Sequence, residues 1–453
     1  MSTVYLPVEV SKRELVAKTI LAGSLAASGH LVLLFRSDLF DRVGWPGPGI
    51  YIGKNVFRSG PPCDLQFLHR MRNAGIRIWH LDEEGGIYLG NDEEAWRDFL
   101  SRRFDPQLLD QKDKVLAWGD WQAEFFKHQD LSASVHMVGH TNFDIYRAHY
   151  ADALKSFDVE QTGGRRDYIL VNTRFTTSNA PVTGDLHMIN SAVVRGFFDQ
   201  KLLFDKLVVD GHLYYDFIEM VFGLATRLPH RKIVLRPHPA EDSSSYRRIF
   251  APLENVVVTG EGDAGSWIRL ASCVIHNGCT TAIQATIAGK PVITYAPRQE
   301  DVLTTACLPN RTGAIAEDLD TVIRLVENDH DIPDSGHWKR TISTLDTVDR
   351  LTLLVNSEPG ETRNDRILPL ARLLCLKFRA SETARGLIRF AWPKRQEQFQ
   401  HRMGLFDPVF FKKVAALSKA TQQLYSPEIE CRKLDEGCFA FGLSKTLVRS
   451  KNE

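Results

Sequence analysis

Val234-Leu235-Arg236-Pro237-His238-Pro239 sets a guanidinium and an imidazole at the end of an apolar run. Two prolines hold such a turn extended. An arginine and a histidine at a strand end suit a pyrophosphate or phosphodiester; a histidine that merely caps the next helix is the plainer alternative. In Val274-Ile275-His276-Asn277-Gly278-Cys279-Thr280-Thr281 a second apolar run turns through Asn-Gly into Ala282-Ile283-Gln284-Ala285. Free backbone N–H groups, a helix dipole and two hydroxyls there form an anion site, although Thr280 would also serve as a simple N-cap. In Leu81-Asp82-Glu83-Glu84-Gly85-Gly86 three consecutive carboxylates repel one another. That raises the proton affinity of at least one and suits it to act as a general base, with two glycines allowing backbone close to a ligand. A solvated acidic turn has the same composition.

These segments need a scaffold that brings strand ends together. Val4 to Val8 reads as a buried strand, Arg13 to Ser28 as a helix ended by Gly29, and Leu31 to Phe35 as the next strand. Gly75 to Leu81, Lys114 to Gly119 and Ser134 to Gly139 continue the alternation, which implies a parallel, doubly wound sheet. Polar Glu160 to Arg166 reads as a linker. Strands then resume at Tyr168 to Asn172, Lys232 to Leu235, Val256 to Val258, Cys273 to Ile275 and Pro291 to Tyr295. The expected organisation is residues 1–160, residues 166–340 and a helical basic-aromatic extension over 341–453. Two such α/β domains leave a ligand cleft between the carboxyl ends of their sheets.

The 453 residues suit two domains and an extension, and the chain is 25% charged and 43% hydrophobic. Lysine plus arginine equals aspartate plus glutamate at 56 each, so no global field favours nucleic acid or a membrane. Seven scattered cysteines without a CxxC pair argue against a disulfide framework or zinc site and fit a reducing compartment. Charges from Glu9 to Lys18 exclude a signal-peptide reading of the apolar stretch that follows. Between Arg366 and Lys419 cations interleave with Leu, Phe and Trp. This is either a solvated helical face or a patch that rests on anionic lipid or a lipid-linked acceptor.

An acidic pair with Gly in the first domain, a His-Pro in the second and a later hydroxyl pair resemble the motifs of GT-B sialyltransferases and polysialyltransferases. They fall on Glu83-Glu84-Gly85, His238-Pro239 and Thr280-Thr281. More broadly, Tyr5 to Glu9 with Arg13-Glu14, Ser59-Gly60-Pro61-Pro62, Leu81 to Gly86, Ala117-Trp118-Gly119, Gly139 to Asp144 and Val171-Asn172-Thr173 resemble the bacterial surface carbohydrate biosynthesis protein family. The likeness covers roughly residues 4 to 300. It implies a GT-B-like α/β fold of two Rossmann-like domains, the first for acceptor and the second for nucleotide-sugar.

The resemblance assigns catalysis to Glu84 as base, Glu83 beside it, and His238 on the donor phosphate. Arg236, His238, Pro239, Asn277, Gly278, Thr280, Thr281 and Gln284 would bind donor; Arg13, Glu14, Asp82, Gly85 and Gly86 would line the acceptor side. Gln284 stands where many GT-B enzymes place a ribose-binding Glu. The implied activity is metal-independent transfer, without a cofactor, of an ulosonic acid from a CMP donor to a surface polysaccharide (capsule or lipopolysaccharide) or lipid-linked glycan. Competing readings are a sugar-nucleotide 2-epimerase, a glycerol-phosphate transferase, or a non-catalytic component of a polysaccharide assembly complex. The expected location is cytoplasmic, with peripheral contact at the inner face of the membrane through the extension.

Overall fold

The computed structural model describes residues 1–54, 65–83, 93–176, 178–179, 200–298, 308–328, 332, 334–343, 345–360, 366–391 and 407–448. The turn Ser59 to Pro62 and the residues Glu84, Gly85 and Gly86 lie outside the described residues.

In the first domain β1 (Thr3–Val8), β2 (Leu31–Arg36), β3 (Gly49–Gly53), β4 (Ile76–Leu81), β5 (Lys114–Ala117) and β6 (Ser134–Met137) form a parallel sheet in the order β2-β1-β3-β4-β5-β6. β1 is buried along its whole length because helices cover both faces, hence its near-continuous apolar sequence. Helix α1 (Ser11–Ala27) links β1 to β2 and is also buried almost all round.

The second domain comprises β7 (Tyr168–Asn172), β8 (Ile233–Arg236), β9 (Val256–Val258), β10 (Ala271–His276), β11 (Val292–Tyr295) and β12 (Ala314–Ala316). Its order is β12-β11-β10-β7-β8-β9, again all parallel. Asn172 pairs with Arg236 and Val171 with Ile275, so the loops after β7, β8 and β10 leave the sheet at one level. The chain is thus an α/β protein with two Rossmann-like, doubly wound domains in a GT-B-like arrangement.

The extension is helical over Thr347–Ser357, Ile367–Ala391 and Val414–Leu424. The last of these lies so close to α1 that a Cβ at Gly23 would collide with the Thr421 side chain. Beyond the helices comes a hairpin that the sequence pattern does not announce, β13 (Ile429–Asp435) and β14 (Cys438–Leu443). β14 pairs antiparallel with β2, extending the first sheet to eight strands. Cys438-Phe439-Ala440-Phe441 lacks a period-two pattern because both of its faces are covered, and all four residues are buried. One apolar cluster runs from β1 and α1 through Trp118 and Phe143 to Tyr168, Trp267 and Ile283, so the two domains share a core.

Phe441 is fully buried in that shared core although it sits near the chain's end. Phe441→Ala is expected to lower stability by about 3–5 kcal/mol, measured as a shift in denaturant midpoint at constant slope. A loss below about 1 kcal/mol would mean that the hairpin is not integral to the first domain.

Candidate functional site

Each sheet has one switch point where successive connections depart in opposite directions, and open α/β sheets bind ligands there. In the first sheet it lies between β1 and β3, and in the second between β7 and β10.

At the first switch point six charges gather. Lys54, just past β3, pairs with Glu9, just past β1, at 2.5 Å. Glu14 and Lys18, one turn apart on α1, are both buried. The Lys18 ammonium lies 3.3 Å from Glu14 Oε2 and 2.8 Å from Glu83 Oε1, and also donates to the Pro7 carbonyl. Glu14 further accepts from the Glu9 amide at 2.9 Å and pairs with Arg13 at 3.2 Å. Burial favours the neutral acid at Glu14, but Lys18, Lys54 and Arg13 overcome it and hold the carboxyl well below the usual range. At Glu83 burial wins over Lys18, with help from Glu14, and pushes the carboxyl up to about 7. Burial, with Glu83 and Glu9 adding, also raises Tyr51, whose hydroxyl has no hydrogen-bond partner among the described residues.

Asp82 is buried, and its carbonyl accepts from Trp118 Nε1 at 2.7 Å. His140 packs edge-on to Trp118 and accepts the Asn142 amide at Nδ1, which leaves its proton on Nε2. Burial and Arg13 drive its pKa down to about 3, so the ring is neutral.

In the second domain Glu241 organises the Pro-His-Pro turn. This buried carboxylate accepts from the His238 amide at 3.0 Å, the Thr173 hydroxyl at 2.8 Å and the Tyr246 hydroxyl at 2.7 Å. His238 Nδ1 accepts from the Ala240 amide at 3.2 Å, which leaves Nε2 to carry the proton. Arg236 turns elsewhere: its guanidinium donates to the Glu261 and Gly262 carbonyls at 2.6 and 2.8 Å. Burial lowers its pKa to about 10, still cationic at neutral pH.

Across β7, Arg174 donates to the Asn277 carbonyl at 2.8 Å and lies against Gly278, where a Cβ would come within 2.5 Å of Nε. Gly278 also has a φ of +65°, so two constraints select glycine. Asn277 is occupied structurally, donating to the Tyr295 carbonyl. Thr281 accepts from Asn172 at 2.9 Å and donates to Cys279 Sγ at 3.0 Å. Thr280 sits at the N-cap without a side-chain capping bond, and Gln284 is buried.

A cleft of about 310 Å³ opens between the domains. Pro237, His238, Pro239 and Arg247 line one wall, Val10 and Lys12 the other, with Glu261 and Asp407 at its edges. Lys12 bridges three parts of the chain, standing 3.3 Å from Glu261 and 3.7 Å from Asp407 while donating to the Gly260 carbonyl. Arg247 is exposed and has no ion-pair partner among the described residues. Of the expected donor residues, the cleft therefore gathers His238 and Pro239. Thr280, Thr281 and Gln284 follow β10, two strand spacings or about 10 Å across from the His238 turn after β8. Arg13, Glu14 and Glu83 belong to the first domain's charge cluster, and Asp82 is buried beside Trp118.

Lys12, Lys18, Lys54, Arg174, Glu241 and Arg247 were not singled out from the sequence. Lys18 carried a legible signal: it lies four residues after Glu14 in a helix that is otherwise largely apolar.

No protein-family model matches this chain, and no curated protein matches it. Among solved structures it is similar to the UDP-GlcNAc 2-epimerase of Methanocaldococcus jannaschii in complex with UDP-GlcNAc and UDP, at 12% identity over 79% of this chain and 99% of that one, with a TM-score of 0.42. It is also similar to S. aureus MnaA with UDP (11% identity, 80% and 100% covered, TM-score 0.44). The wall teichoic acid polymerase TagF is a third (13% identity, 68% and 72% covered, TM-score 0.39). Likenesses this distant carry no inference about the site, and the two-domain architecture rests on the strand orders above.

Lys18→Met would leave Glu14 and Glu83 buried without their shared cation, and is expected to cost about 3–5 kcal/mol of stability. Glu83 also predicts a pH dependence. Its native carboxyl binds a proton more tightly than the unfolded one, so stability falls as pH rises from the ordinary value of 4.5 to about 7. Glu14 has the opposite sign, and its contribution is lost as pH falls below 4.5. In Glu83→Gln the slope across the 4.5-to-7 window should flatten relative to the parent; an unchanged slope would remove Glu83 as its source.

Proposed function

We propose that this chain is a GT-B-type glycosyltransferase that binds a nucleotide-activated sugar in the interdomain cleft. It would act in surface polysaccharide biosynthesis, in keeping with the family its motifs resemble. The observation that supports this most directly is the cleft itself: His238, Lys12 and Arg247 converge on a space between two doubly wound domains, as an anionic donor held across both would require. A charge-assisted contact from His238 to a donor phosphate stabilises the charge that develops there as the sugar leaves. The acceptor hydroxyl loses its proton to the acidic turn, with Glu84 as the base. Glu83, held by Lys18, anchors that turn. No step requires a metal or a cofactor. The donor favoured by the motif resemblance is a CMP-activated ulosonic acid, and the acceptor a surface polysaccharide or lipid-linked glycan.

Thermal-shift titration with CMP, UDP, GDP and CDP tests the reading, because a ligand bound only by the native state raises stability by mass action. CMP should stabilise most, and a response to none of the four would contradict the proposal. His238→Ala should weaken the effective nucleotide by about 1.5–3 kcal/mol. In a transfer assay Glu84→Gln should cut turnover by roughly 10²–10⁴-fold with nucleotide affinity nearly unchanged. Full transfer by Glu84→Gln beside loss in Asp82→Asn or Glu83→Gln would move the base to a neighbour. Interconversion of a free UDP-sugar without acceptor would instead support the epimerase reading.

A further inference from the structure

The helix Ile367–Ala391 has two faces of opposite character. Ile367, Ala371, Leu374, Cys375 and Phe378 are buried in the first domain's second apolar cluster. The guanidiniums of Arg36 and Arg42 lie over the Phe378 ring, and Glu382 pairs with both. On the opposite face, Pro369, Leu373, Leu376 and Ala380 fall within an arc of roughly 60° at 3.6 residues per turn. All four are exposed, and Leu373 and Leu376 keep 61% and 58% of their surface in solvent. Arg366 and Lys377 border this apolar row on one side and Arg372 on the other, all three exposed, while Arg379, also on the Arg372 side, is paired with Asp435 of β13. Among the described side chains of this helix the one carboxylate, Glu382, is turned inward to Arg36 and Arg42.

An apolar row flanked on both sides by cations, with no outward acid among the described side chains of the helix, is the pattern of a helix lying in a lipid interface. Its cationic heads reach headgroup phosphates while the aliphatic stems lie along the apolar row. Among the described residues no helix is long and apolar enough to cross a membrane. We propose that this face docks the protein on an anionic lipid surface, Leu373 and Leu376 entering the acyl boundary and Arg366, Arg372 and Lys377 meeting lipid phosphates. Charge complementarity selects the occupant, because Arg366, Arg372 and Lys377 on both sides of an apolar row favour a dense anionic plane over a neutral one. Arg36 ends β2 at the sheet's carboxyl edge, the same edge that faces the cleft, so its contacts with Phe378 and Glu382 place this helix beside the cleft end of the first domain. Docking there would hold the cleft near the surface.

The test is co-sedimentation of the full chain with vesicles of phosphatidylcholine alone and of equimolar phosphatidylcholine and phosphatidylglycerol. The expected result is binding to the anionic vesicles only, weakening as salt is added. Arg366→Gln/Arg372→Gln/Lys377→Gln should weaken binding about a hundredfold, from about fivefold for each cation near an anionic surface. Leu373→Gln/Leu376→Gln should abolish whatever binding survives high salt. All five positions are exposed, so thermal unfolding of both variants should match the parent; the parent's own lipid and salt dependence needs no variant. Equal binding to neutral vesicles, no binding to either, or variants that bind like the parent would overturn the proposal. So would self-association in the absence of lipid that disappears in Leu373→Gln/Leu376→Gln, because a second copy would then cover the face. Lipid binding is read without any transfer reaction, so its failure is distinguishable from failure of the cleft's assignment.

Discussion

One buried ammonium, that of Lys18, ties together the parts of the first domain that face the cleft. A cation removed from water costs several kcal/mol unless it is fully partnered, so Lys18 constrains whatever surrounds it. Its partners come from three places: Glu14 on α1, the Pro7 carbonyl in β1, and Glu83 just beyond β4. Helix, central strand and Glu83 just beyond β4 are therefore held in one relative position. Two carboxylates competing for this ammonium also differ in proton affinity, with Glu14 held low and Glu83 raised. Separations of this kind are how neighbouring carboxyls take up different roles at neutral pH.

The second domain answers with a buried carboxyl group. Glu241 collects an amide and two hydroxyls, and in doing so fixes the turn that presents His238. Neither side chain would be well placed if the domains drifted, and the shared apolar core opposes that. The extension reinforces it: helix Val414–Leu424 rests on α1, and β14 completes the first sheet. Asp407 and Glu261 meet at Lys12, so the cleft has a cation already neutralised at its rim. A bound phosphate would compete with those carboxylates for it.

The alternation of strands and helices was legible because parallel strands covered on both faces leave continuous apolar runs. His238 was expected at the carboxyl edge of its sheet, and it stands there, because two prolines restrict its turn locally. Arg236 shows where local reading ends: a strand-end arginine has the same sequence signature whether it faces a ligand or, as here, backbone carbonyls. Glu241 was invisible because its burial and its bond to Thr173, 68 residues earlier, arise only from tertiary packing. The hairpin Ile429–Leu443 was missed because its pairing partner, β2, lies some four hundred residues earlier in the chain. Glu84, on which the base assignment rests, lies outside the described residues, and its role is read from sequence alone.

On the proposed function, the interdomain cleft is where an activated sugar's phosphate is held. A crystal structure of the full chain with CMP, or with whichever nucleotide stabilises it most, tests this directly. The phosphate is predicted within hydrogen-bond reach of His238 Nε2, between the Pro-His-Pro turn and the start of α1, with Lys12 drawn away from Glu261 and Asp407. A phosphate bound outside the cleft, with His238 untouched and the Lys12 ion pairs intact, would contradict it.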